Sequence, residues 1–116
     1  MQTNLMIESK FNDAMAYAHN AIKNFPRYEK YTLGVEISKT MWEIKRHMIA
    51  ARFLHHKKTA LRNLDHEMKL HMEQVRFAKK THAINARRYE IWCKMLIEIG
   101  KMIGGWIKSQ PQAASL

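Results

Sequence analysis

Lys58, Arg62, Lys69, Arg76 and Lys80 follow one another at spacings of 4, 7, 7 and 4 residues. On a helix, at about 100° per residue, they fall within a ~40° sector and form one row of cations. Arg87, Lys94, Lys101 and Lys108 repeat every seven residues and make a second row. The chemistry open to such rows is charge-assisted binding of phosphates, which holds a nucleic-acid backbone mostly without reading its sequence. Asp65 and Glu73 lie close to the first row and Glu90 lies in line with the second, so neither is of one sign. A solvated face is the plainer reading for any single lysine. Two rows on neighbouring helices favour phosphate binding.

Other constellations fail on spacing. His66-Glu67-Met68-Lys69-Leu70-His71 resembles a zinc-protease motif, but its histidines are five apart where one helical face needs four. His55 and His56 are adjacent and point to different sides. The seven histidines are therefore expected on polar surface or in grooves, and not as metal ligands. Cys93 has no clear histidine partner and reads as a small packing residue on the side of its helix that carries Ile97, Gly100 and Gly104. There is no P-loop, no glycine-rich nucleotide site and no carboxylate cluster. The chain is not expected to be an enzyme or to hold a cofactor or metal.

The 116 residues suffice for one domain with a modest core. Lys+Arg 20 against Asp+Glu 10 gives a formal charge of +10, which favours a polyanionic partner. The excess is +1 over residues 1–27 and +3 in each of 28–57, 58–81 and 82–116, so it is spread along the body. A single cysteine excludes an internal disulfide and fits a reducing, cytoplasmic setting. The start lacks the features of a signal peptide, and no stretch approaches the ~20 apolar residues of a membrane span. An anionic membrane is accordingly the weaker of the polyanionic partners.

The elements that must position the cations are helical throughout, since only Pro26 and Pro111 are proline and no glycine falls between Gly34 and Gly100. A first helix spans about Thr3 to Asn24, with Ile7, Phe11, Ala14, Met15, Ala18, Ala21 and Ile22 in one stripe continued by Phe25. Pro26 ends it, and Pro26 to Tyr31 is a short aromatic connector. Further helices span about Thr32 to Leu54, Ala60 to Thr81 and Asn85 to Lys108, with Thr32, Thr59 and Asn85 as candidate N-caps. The reading is an all-α, up-down-up-down four-helix bundle over 1–109 with a flexible tail at 110–116.

Two helices carry a second apolar face. Leu33, Ile37, Met41, Ile44, Met48 and Ala51 form one stripe; Val35, Trp42, Ile49 and Phe53 lie roughly opposite. Leu61, Leu64, Met68, Met72 and Val75 likewise face inward while Leu70 and Phe77 point away. A helix in a monomeric bundle needs one such stripe, so the second predicts another subunit or a stable partner. Burial of Trp42 or its facing stripe, of Trp92 and of Trp106 should fix the fold. Gly100, Gly104 and Gly105 each cost the last helix roughly 1 kcal/mol against alanine. Gly100 and Gly104 share a face, which predicts close approach of another backbone there as a further part of the oligomer or partner interface, with Trp106 locking the end.

Phe25-Pro26-Arg27-Tyr28-Glu29-Lys30-Tyr31-Thr32-Leu33-Gly34, Arg88-Tyr89-Glu90 and the run from Glu98-Ile99-Gly100-Lys101 through Gly104-Gly105-Trp106-Ile107-Lys108-Ser109 resemble the accessory variability determinant (Avd) family of diversity-generating retroelements of bacteria and their phages. The similarity covers Phe25 to Ser109 and is most specific at its two ends. The resemblance implies a basic four-helix bundle that assembles as a homopentameric ring. It further implies a non-catalytic protein that binds the element's reverse transcriptase and nucleic acid, template RNA and also DNA, in support of mutagenic copying. The four-helix-bundle proteins encoded in ribosomal RNA intervening sequences are the neighbouring alternative, as a structural oligomer or general nucleic-acid binder. Several positions of the third helix that are often arginine in the retroelement relatives are Lys or His here.

Overall fold

The computed structural model describes residues 2–111, with side chains from residue 5 onward. Five helices follow in order: α1 (Gln2–Lys23), α2 (Arg27–Tyr31), α3 (Leu33–Phe53), α4 (Lys58–Lys80) and α5 (Ala86–Lys108). The four long ones pack as a bundle in which α1 lies against α3 and α5, and α4 lies against the same two. The connector after Pro26 is itself a short helix, α2, folded back on α3. Of the tail expected over 110–116, residues 112–116 lie outside the described residues; Gln110 still bonds back to the Trp106 carbonyl at 3.3 Å.

The core follows the apolar stripes. Ile7, Phe11, Ala14, Ala18 and Ala21 of α1 meet Ile37, Met41, Ile44 and Met48 of α3, with Leu61, Leu64 and Val75 of α4 and Trp92, Leu96, Ile99 and Ile103 of α5. Glu8 is buried as well, and its carboxylate accepts from Arg52 Nε at 2.5 Å and lies 3.8 Å from Lys45 Nζ. This cluster ties α1 to α3 and compensates the buried charge.

The ends of the helices correct two of the expected caps. Thr32 makes no cap bond; its hydroxyl donates to the Tyr28 carbonyl at 2.9 Å and closes α2 instead. Thr59 lies inside α4, which begins at Lys58. Asn85 does cap α5, its side chain accepting from the Arg88 N–H at 2.8 Å. The turn between α3 and α4 has neither glycine nor proline. Lys57 makes it, its ammonium donating to the Ala51 and Leu54 carbonyls at 2.8 Å each, where cationic donors suit orphan carbonyls. After α4, His82 takes a left-handed conformation, φ 64. Ala83 N–H then bonds to the Ala78 carbonyl and His82 N–H to that of Lys79, the paired bonds of a Schellman turn.

Within the chain, the glycine held in close contact is Gly34. A Cβ on Gly34 would stand 2.8 Å from Ile22 Cγ2 and 3.4 Å from the Glu29 carbonyl oxygen, where α1, α2 and α3 converge. Around Gly100, Gly104 and Gly105 the same test finds nothing within 4 Å. Among the described residues no other element approaches them.

Candidate nucleic-acid and assembly surfaces

All nine cations of the two rows are exposed: Lys58, Arg62, Lys69, Arg76 and Lys80 on α4, and Arg87, Lys94, Lys101 and Lys108 on α5. Two of them are partnered within their own helix, Lys69 with Asp65 at 2.6 Å and Arg76 with Glu73. Glu73 raises the Arg76 pKa further. Among the described residues no carboxylate pairs with the other seven.

The helical phase places the α4 row. Gln74 reaches α3, where its Nε2 donates to the Thr40 hydroxyl at 2.9 Å. Met72 reaches α5, where the Cys93 thiol donates to its sulfur at 3.7 Å. The cations lie on the outer, α5-facing flank of α4, and Leu70 and Phe77 on its outer, α3-facing flank. The helix thus separates a polar front from an apolar one.

The exposed apolar residues form two patches that meet at Val35, one between α3 and α4 and one on the α1-facing flank of α3. Leu33, Leu70 and Phe77 line a shallow cleft together with Arg76 and Lys80. Tyr28, Tyr31 and Val35 extend it toward α2. Trp42 is 59% exposed and borders grooves with Met15, Ile22 and Ser38 on the α1 side. Val35, Ile49, Phe53, Leu70 and Phe77 are likewise exposed. So much exposed apolar surface in one region is unusual for a chain that works alone.

Three residues named with these surfaces lie elsewhere. Trp106 is 7% exposed and belongs to the chain's own core, so it offers little surface to a partner. Gly100 and Gly104 are half-buried on the side of α5 toward α4, in open space. Ile97 beside them is 50% exposed, so that side of α5 is a groove and not a tightly packed contact.

The remaining reactive groups have structural roles. His71 is fully buried against the expectation of a polar surface, because its turn of α4 faces the core. Burial lowers its pKa to about 4, while neighbouring Gln74 acts in the opposite direction. Cys93 is half-buried, and desolvation raises its pKa, so its thiol is the neutral form at pH 7. Among the described residues no cluster of three His, Cys, Asp or Glu could hold a metal ion. No helix among them is long and apolar enough to cross a membrane.

Comparison with protein families matches residues 5–110 to the family described as bAvd-like. No curated protein matches the chain.

Proposed function

The chain belongs to the bAvd-like family, and from that premise we propose that it is a non-catalytic accessory protein of a diversity-generating retroelement. It binds the element's reverse transcriptase and template RNA, and it supports mutagenic cDNA synthesis. The observation that carries this reading is the family match over nearly the whole chain. The formal charge of +10 and the two exposed cation rows supply the nucleic-acid contact.

The apolar front of α3 and α4 serves assembly. Val35, Trp42, Ile49, Phe53, Leu70 and Phe77 are covered by another copy of the chain, and the copies close into a homopentameric ring. A ring repeats the cation rows about its axis, which raises the local potential and steepens the dependence on salt.

Size-exclusion chromatography with light scattering, with and without RNA at low and high salt, tests both parts. The expected result is a mass of about five chains, as the family resemblance implies, that grows with RNA and reverts in high salt. A monomer indifferent to RNA overturns the reading. Co-purification of a reverse transcriptase with the tagged protein from its native host tests the partner, and its absence argues against an accessory role.

A further inference from the structure

Contacts between α4 and α5 fix the axial register of the two cation rows. Cys93 meets Met72 at 3.7 Å, Lys79 sits 5.3 Å from the Tyr89 ring centroid, and Arg76 lies beside Tyr89. The helices are antiparallel, so a step of seven residues down α4 matches a step of seven up α5. In that register Arg62 is level with Lys101, Lys69 with Lys94 and Arg76 with Arg87. Each pair is level to within about two residues, or ~3 Å. Successive pairs are ~10.5 Å apart along the axis. Lys58 and Lys108 close the series at one end.

Between the two rows runs the outer groove of α4 and α5. Its floor is Met72, Cys93 and half-exposed Ile97. Toward the Lys58–Lys108 end it opens over Gly100 and Gly104, where a Cβ would meet nothing. The α5 row runs along the outward midline of its helix and drifts by ~20° per seven residues, so Lys108 and Lys101 lean toward the groove while Lys94 and Arg87 lean toward α1, the side on which Glu98 pairs with Lys10. Three carboxylates share this face, Asp65 and Glu73 in their ion pairs and Glu90 on α5. The cations therefore exceed them by a wide margin.

Neighbouring like charges repel, and a polyanion laid along both rows removes the repulsion from the two at once. We infer that the α4–α5 groove seats a single nucleic-acid strand, its phosphates gripped alternately from the two banks and its bases free of pairing. This rests on the nucleic-acid-binding part of the function proposed above and specifies its surface and the form of its ligand. The axes of packed helices lie about 9 Å apart, so the furrow between α4 and α5 is narrow: one strand lies along it, while a duplex rides on the rims. The apolar floor suits base faces, and Tyr89 offers a ring for stacking at the far end.

The test is fluorescence anisotropy with a labelled 20-nucleotide oligouridine and with a blunt RNA duplex of equal length, across a salt series. The variants are Arg62→Ala/Lys101→Ala, which empties both sides of one rung, and Lys39→Ala/Arg46→Ala, which removes two exposed cations from α3. Circular dichroism melting confirms that each is folded. The single strand is expected to bind more tightly than the duplex. The rung variant should lower the slope of log K against log salt by about 1.4, at about 0.7 per phosphate contact on single strands. The α3 variant should leave it unchanged. Equal loss from both variants would mean a diffuse field and overturn the groove while leaving nucleic-acid binding intact, as would a preference for duplex. Failure of the unsubstituted protein to bind either RNA overturns the underlying reading as well.

Discussion

His71 and Trp92 meet edge to face at the centre of the bundle, their ring centroids 5.8 Å apart. Both side chains are fully buried, and neither His71 Nδ1 and Nε2 nor Trp92 Nε1 has a hydrogen-bond partner among the described residues. Tyr17 approaches the same Trp92 ring from α1, 6.4 Å between centroids. Three helices thus converge on Trp92, and His71 beside it sits where burial disfavours the protonated ring.

This contact predicts acid sensitivity. The folded-state pKa of His71 is about 4, below its ordinary 6.5. Above pH 6.5 both folded and unfolded chains hold it neutral, and its contribution to stability is fully present. As pH falls from 6.5 to about 4 the unfolded chain takes the proton first, and up to about 3 kcal/mol is lost. His71→Leu removes this dependence and relieves the unpartnered nitrogens. Urea unfolding at pH 7 and pH 5 should show the wild-type chain losing about 2 kcal/mol more than the variant. Parallel losses in the two would place the acid sensitivity elsewhere.

His82 holds a left-handed φ of 64 at the end of α4. The conformation costs an L-residue about 1 kcal/mol and glycine almost nothing. His82 is exposed, and its ring makes no hydrogen bond among the described residues. His82→Gly should raise the stability of the chain by about 1 kcal/mol, less the backbone entropy it restores to the unfolded state. A lower melting temperature would show that the imidazole has a contact worth more than the strain.

How far the sequence could be read follows from which signals are periodic. The helical stripes located α1, α3, α4 and α5 to within two residues at most boundaries, because burial repeats with the helix turn. The exposed fronts and the cation rows were legible for the same reason. The Lys57 cap, the His82 turn and the folding of Pro26–Tyr31 into α2 were not, since each depends on a single bond or dihedral with no repeating pattern. His71 was misplaced because a histidine is polar by type, although position 71 falls between Met68 and Val75 on the buried face. The alignment of the two rows needed the α4–α5 register, which only contacts reveal.

The glycines divide in the same way. Gly34→Ala forces a methyl group to 2.8 Å from Ile22 Cγ2, and such overpacking costs about 1–3 kcal/mol. Gly104→Ala meets nothing among the described residues and should stabilise α5 by roughly 0.5–1 kcal/mol. Thermal melts of the two variants are expected to move in opposite directions. If Gly104→Ala lowers the melting temperature at concentrations where the protein is assembled and raises it on dilution, a neighbouring copy occupies the groove.

Trp42 and Trp106 separate folding from assembly. Trp106 is 7% exposed and packed at the end of α5, so Trp106→Ala should cost about 3–5 kcal/mol of the chain's own stability. Trp42 is 59% exposed on α3, and its truncation should change the stability of an isolated chain by no more than about 0.5 kcal/mol. Trp42→Glu places a charge in the apolar patch on the α1-facing flank of α3, which a subunit interface cannot bury unpaired. Its helical circular dichroism should match the wild type in dilute solution, while its mass by light scattering falls toward one chain. An unchanged mass would remove Trp42 from the interface. A collapse of helicity on dilution, in wild type and variant alike, would mean that the bundle depends on its neighbours to fold.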